Sequence, residues 1–578
     1  MTPRGGRHRL RPSPAGRCAV LDTLARAFSL LLLAPFRFLS WASGVRLGRR
    51  GLVRVDLPAL QEALGSNEAL DHLARALDAM GSDRHVRGVW LRLRHTQGSP
   101  ALLQEVAAAL VRLKASGRRV LAALDEAEDG DLLLAAQADR ITCSPAGTVD
   151  GRGVAIRGVY LADALARLGV RVEVLAAGAF KSAADPLARA TPSPAHREAM
   201  EGLVADLQAQ WTSSVAQGRG LPEDRIRVAL DRAPLSPQEA LEAGLVDEVT
   251  WPDQDAERWP ERLGFRPRPI DFPAWNRRWI LDRAWRRALG DVRPIAVVRL
   301  GGPVVYRAPS VNARPCIAAD RVIPLLDRLA QDRRVRGVLL VVDSGGGGVG
   351  PSEALHRAVT RLRERRPVVA LLRGTAASGA YALSLPARTV AAPGTLTGSI
   401  GVLLVRPLVA GALRRLGIHA TTWRGAPHAD LDDPARPLTD PERARLEAMV
   451  QRFYTTFVER VAQARHLALA DVEAVAQGRV WTGRQAIERG LVDRLGGFPE
   501  AFADLCEAAG LPSGRRPEPR WDLAPGRPST LRRLAGRILP VPALLGDLTR
   551  WTALPLAAWV LREAGRPLAR APFDLEGE

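Results

Sequence analysis

Lysine is almost missing from this chain. Of 82 basic residues in 578, only Lys114 and Lys181 are lysine; the rest are arginine. Arginine makes ion pairs at least as well as lysine. It stays protonated at any working pH, whereas a buried lysine can lose its charge. A lysine kept against such a background is a candidate for chemistry that arginine cannot do. Lys114, in the polar "VRLKASGRR", reads as chance. Lys181, in "AAGAFKSAADP", stays open between chance and function on composition alone.

Cysteine is scarce too. Cys18, Cys143, Cys316 and Cys506 lie far apart and form no CxxC pair, which excludes a disulfide framework and a cysteine metal site. No HExxH and no carboxylate cluster of metal-binding spacing occurs, so no metal or cofactor is expected. Aromatic residues make up only 5% of the chain. The net charge of +20 comes with no zinc spacing, RNA-binding signature or arginine-aromatic groove, so nucleic acid is not expected as a partner. Half of that charge sits in residues 1–54, where eleven arginines face the single acid Asp22. A clean spanning segment is also lacking. "AFSLLLLAPFRFLSWASG" (27–44) is interrupted by Pro35 and Arg37 and has no A-x-A cleavage site, while crossing a bilayer needs about 20 apolar residues. It reads as a membrane anchor or interfacial helix, with a soluble amphipathic helix as runner-up. The tail at 531–565 alternates arginine with apolar runs; it reads equally as a membrane-surface segment or a packed helix pair.

What the chain does have is a repeat. "DRHVRGVWLRLR" (83–94) returns as "DRRVRGVLLVVD" (332–343), 249 residues on. "LARLGVRVEV" (165–174) returns as "LRRLGIHATT" (413–422), and "EALEAGLVDEV" (239–249) as "QAIERGLVDRL" (485–495). Two copies of one domain follow. The expected layout is a basic head with the apolar segment (1–50), a first repeat (51–288), a second repeat (289–510) and a tail (511–578). Val- and Leu-rich runs such as "GVLLVV" (337–342) alternate with helical patterns such as "PSEALHRAVTRLRER" (351–365), which predicts an α/β fold on a parallel sheet.

Two turns of the second copy stand where such folds place chemistry. "DSGGGGVG" (343–350) joins a strand to a helix and can present backbone N–H groups to an oxyanion, or can simply be a tight turn. "GTAASGAYALSLPA" (374–387) places Ser378 after a strand and before a helix. That serine is either an exposed nucleophile or a helix N-cap. The first copy has Asp129 in the place of Ser378 and "RHTQGSPA" in the place of the glycine turn. Conversely, the second copy has His428 or Ala429 in the place of Lys181. Each half thus holds one part of a Ser/Lys pair. A serine hydroxyl needs a base, and burial lowers a lysine from its free pKa of about 10.4 to ~7–8 in enzymes that use it so.

"GAFKSAADP", "AASGAY…TLTGSIGV" (376–402) and "GLVD" in both copies resemble the signal peptide peptidase A (protease IV) family in its two-copy form, from about Val53 to Phe502. The resemblance implies tandem Clp protease/crotonase-like domains, spirals of β-β-α units. It implies a membrane-associated serine endopeptidase acting on spent signal peptides and other hydrophobic peptides. Ser378 would be the nucleophile and Lys181 the general base. Gly346 or Gly347, with Gly379, would form the oxyanion hole, and Ser399 and Ser182 would orient the lysine amine. The family's Ser-Pro-Gly-Gly turn lacks its proline here, since Gly345 follows Ser344. The resemblance also implies a homotetramer, membrane lipid as a partner, and a bacterial inner-membrane location with the catalytic domains on the outer side. The competing readings are a crotonase-like acyl-CoA enzyme and an inactive membrane scaffold of the same fold.

Overall fold

The computed structural model describes residues 51–289, 293–308, 315–512 and 519–523. The proposed anchor and the membrane-surface tail lie outside the described residues. Among the described residues no helix is long and apolar enough to cross a membrane.

Following the chain, β1 (Gly51–Asp56), β2 (Val86–Leu93), β3 (Arg119–Glu128) and β4 (Arg140–Asp150) alternate with helices. Val53 stands opposite Val89, and Val89 opposite Val120, all without solvent access. These valines form one fully buried row across three parallel strands. Helix Ser66–Ser82 buries Leu70, Leu73, Leu77 and Met80 against Leu110 and Leu113 of helix Pro100–Ala115, a stripe of helical period. After Gly153 the chain leaves this compact unit, contributes β5 (Arg171–Ala177) to the second, and returns at Trp211. β6 (Glu248–Val249) and β7 (Arg268–Asp271) complete the first sheet, in the order β6-β4-β3-β2-β1-β7, all parallel.

The second unit holds Val154–Gln210 and Val297–Gly510. β8 (Arg293–Gly301) leads into it, followed by the short pair β9 (Val304–Val305) and β10 (Ile317–Ala318). β11 (Gly337–Ser344), β12 (Val368–Ala377), β13 (Arg388–Ala391) and β14 (Leu396–Gly398) follow. β15 (Val402–Leu408), β16 (Val480–Thr482) and β17 (Arg494–Leu495) come last. The main path runs β16-β14-β12-β11-β8, with β13 joining β12 to β17. On that path β11 and β14 pair with β12 in parallel, while β16 runs antiparallel to β14. Helix Val349–Arg363 buries Leu355, Val359 and Leu362 on one face. Tyr381 is fully buried and donates to Leu491 O at 2.8 Å.

The sequence assigns Val154–Gln210 to the first repeat, yet this segment folds with the second unit. The reason is local. β5 pairs antiparallel with β15 from Arg171↔Leu408 to Ala177↔Val402. Leu165 and Val170 bury against Val409, and Arg406 pairs with Glu173 at 2.7 Å. Lys181 lies four residues beyond β5 and is carried along.

Candidate active site

Ser378 follows directly on β12, and its backbone sits at φ 55°, ψ −123°. A positive φ is rare outside glycine and costs about 1–3 kcal/mol where the surroundings enforce it. Here they do: Ser378 N donates to Gly398 O at 2.9 Å, and Ala382 N donates to Ser378 O at 2.9 Å. The Ser378 hydroxyl makes no capping bond to helix Gly379–Ser384. Ser378 stands at the N-cap position of that helix, but its side chain does not cap it. The hydroxyl oxygen instead lies 3.1 Å from Lys181 Nζ.

Lys181 is only 8% exposed. Its Nζ donates to Ser399 O and to Ser399 Oγ, both at 2.9 Å. Among the described residues no carboxylate is bonded to it. Burial without a counter-charge pushes its pKa down to about 8. Ser399 also has positive φ, 52°, and its N donates to Arg479 O at 2.8 Å.

The glycine turn presses on the serine. Gly346 has φ 98°, and a Cβ there would come within 2.9 Å of Ala377 O, Gly379 N and Ser378 Cβ. Only glycine fits. Val304 of β9 fixes the turn, donating to Gly346 O and accepting from Gly348 N, both at 3.0 Å. Gly346 N donates to Ser344 Oγ at 3.1 Å, so that amide is already engaged. The amides of Gly347 and Gly379 have no acceptor among the described residues. Of the glycines expected to serve an oxyanion, Gly347 and Gly379 have amides to give; Gly346 provides close approach.

Ser182 is placed differently from expectation. Its Oγ lies 2.7 Å from His196 Nδ1 and donates to Phe180 O at 3.3 Å; no bond to Lys181 Nζ forms. It braces the lysine's loop rather than its amine. The counterpart positions carry no second pair. Asp129 accepts from Gly153 N at 2.8 Å, and burial raises its pKa. His95 sits between Glu128 (2.7 Å) and Glu126 (3.0 Å). His428 lies 3.4 Å from Glu442. Sequence reasoning missed the loop Gln477–Arg479, which packs against Lys181. Its one signal is the glycine at 478.

The model for peptidase family S49 matches twice, over residues 112–263 and 360–512. Protease 4 of Salmonella typhi is 29% identical over 481 residues, 81% of this chain and 76% of its own. Protease 4 of Haemophilus influenzae is 27% identical over 525 residues, 84% and 83%. The chloroplastic serine protease SPPA of Arabidopsis thaliana is 24% identical over 498 residues, 85% and 72%. A solved ClpP1 chain of Listeria monocytogenes matches 37% of this chain and 98% of its own, at 12% identity and a TM-score of 0.23. The class is thus a serine-type protease built from two tandem α/β domains. The chain belongs to peptidase family S49. The acyl-CoA reading is set aside with that result.

Proposed function

We propose that Ser378 and Lys181 form a catalytic dyad that cleaves hydrophobic peptides, spent signal peptides among them, through an acyl-enzyme. The observation that carries this reading is the 3.1 Å separation of Lys181 Nζ and Ser378 Oγ in a buried setting. A neutral amine has two N–H groups and one lone pair. Ser399 O and Oγ take the two N–H groups, which turns the lone pair to the Ser378 O–H. The serine proton passes to Nζ as Oγ attacks the peptide carbonyl. Gly347 N–H and Gly379 N–H donate to the developing oxyanion. The ammonium then protonates the leaving amine as the C–N bond breaks. Water repeats the sequence: Nζ takes its proton, the hydroxide oxygen attacks the ester carbonyl, and as the C–Oγ bond breaks the proton returns to Ser378 Oγ and the carboxylic acid leaves.

The strained Ser378 and the closely packed Gly346 favour a working site over a scaffold. The basic, apolar head supports action at a membrane surface, with the catalytic units on the outer side as the family resemblance implies. Assembly with further copies of the chain, a tetramer by the same resemblance, has its own support. Inside the chain β5 pairs with β15. The repeat counterparts of those strands, Val154–Tyr160 and His419–Gly425, form no strand and are largely exposed, with Trp423 at 88%. A neighbouring copy would pair the two. Light scattering should then show an oligomer that Trp423→Asp dissociates; a monomeric wild type refutes it.

The function is tested by hydrolysis of a fluorogenic hydrophobic peptide in detergent. Wild type should cut, while Ser378→Ala and Lys181→Arg lose nearly all activity. Undiminished cleavage by Ser378→Ala would exclude it as the nucleophile.

A further inference from the structure

Three glycines from distant parts of the second unit meet beside the lysine. A Cβ on Gly478 (φ 84°) would lie within 2.6 Å of Lys181 N, Cα and Cβ. A Cβ on Gly401 would lie 2.9 Å from Gly478 Cα and 3.1 Å from Ala177 O. A Cβ on Gly178 (φ 104°) would lie 2.7 Å from Gln477 Cα. Three backbones therefore touch with no side chain between them. The first carries Lys181, three residues past Gly178. The second carries Ser399, two residues before Gly401. The third, Gln477–Arg479, bonds to both. Gln477 O accepts from Phe180 N at 2.7 Å, Arg479 O accepts from Ser399 N at 2.8 Å, and Gly478 N donates to Ile400 O at 2.7 Å.

This third loop is itself anchored. Gln477 holds φ 51°, and its N donates to Tyr454 OH at 3.3 Å. The Tyr454 hydroxyl donates to Glu473 Oε1 at 2.8 Å. The Arg479 guanidinium stacks over Phe180 at 4.8 Å and over Trp481 at 4.5 Å. The loop thus meets Lys181 at its backbone and Cβ, short of the amine, and bonds to Ser399 through its amide.

We propose that the Gly178–Gly401–Gly478 junction, clamped by Gln477–Arg479, is a positioning device that sets where the Lys181 amine stands relative to Ser399 and Ser378. Gly478 is its central positioning residue. The proposal rests on Lys181 being the general base. The chain positions of the three glycines give no hint of the meeting; the tertiary structure makes it.

The test compares kcat, KM and the pH profile for wild type, Lys181→Arg, Gly478→Ala, Tyr454→Phe and Gly510→Ala. Gly510 also has positive φ, 62°, but a Cβ there meets nothing within 4 Å, so it reports backbone strain without a clash. Gly478→Ala should lower kcat on the order of 100-fold with KM nearly unchanged, the scale of a misplaced catalytic group. Its acid limb should move above 8, towards an ordinary lysine, as the amine leaves its buried seat. Gly510→Ala should stay within about threefold of wild type. Tyr454→Phe, which removes the acceptor for Gln477 N–H, should give a smaller kcat loss of about tenfold and move the limb the same way. If Gly478→Ala does not fold, Tyr454→Phe decides. An inactive Lys181→Arg beside wild-type kcat and an unmoved limb in Gly478→Ala or Tyr454→Phe would overturn the junction and leave the base standing. An active Lys181→Arg would overturn both.

Discussion

Buried at pKa about 8, Lys181 is free base in about one molecule in eleven at pH 7. At the ordinary 10.5 it would be so in about one in 3000. Burial therefore raises the reactive fraction about 300-fold. The expected profile has kcat/KM rising about tenfold per pH unit below 8 and levelling above about 9. Lys181→Arg keeps the charge and removes the base, because the guanidinium stays protonated across this range. It should cost at least about 1000-fold and show no recovery at pH 10. Initial rates on a fluorogenic hydrophobic peptide from pH 6 to 10, for both proteins, measure this. A flat profile between pH 6 and 9, or an arginine variant keeping more than about a tenth of the wild-type rate, would refute the reasoning.

The same burial has a stability cost. The folded pKa lies below the unfolded one, so the cost is complete below pH 8 and fades as pH rises towards 10.5; it is on the order of 3 kcal/mol. Lys181→Met should melt higher at pH 7 by about 1–2 kcal/mol net, since Ser399 O loses a donor, and thermal melts at pH 7 and 10 should show the gain shrinking. Ser399→Ala removes one of the two acceptors on Nζ and keeps the carbonyl; kcat should fall about 10- to 100-fold in the same peptide assay. Asp206 is buried and accepts from Thr482 Oγ1 at 2.5 Å, Gln210 Nε2 at 2.5 Å and Arg484 Nε at 2.9 Å. Asp206→Ala should cost about 2–3 kcal/mol in urea unfolding with little change in the pH profile.

Family membership was legible from motifs alone, because "GAFKSAADP", "AASGAY" and the paired "GLVD" keep their order along the chain. The parallel sheet was legible from Val-rich runs, since strands buried on both faces leave no polar alternation to hide the signal. Lys181 stood out as a candidate because arginine has replaced lysine almost everywhere else, though composition alone left it open between chance and function. These are local or compositional properties, and a sequence carries them directly. The seat of Val154–Gln210 was not legible. It depends on β5 finding β15 some 230 residues later, which no local pattern records. Nor was the division of labour among the glycines. Gly345 to Gly348 look alike in the chain, and only the folded turn gives the Gly346 amide to Ser344 and leaves that of Gly347 without an acceptor among the described residues. Ser182 and Ser399 looked equivalent as partners of the lysine. The fold turns one to His196 and the other to Nζ, because direction is set by φ at Ser399 and by the loop that holds it. Sequence determined which residues could do the chemistry; tertiary contact decided which atoms meet, since that rests on backbone approaches of under 3 Å between segments far apart in the chain.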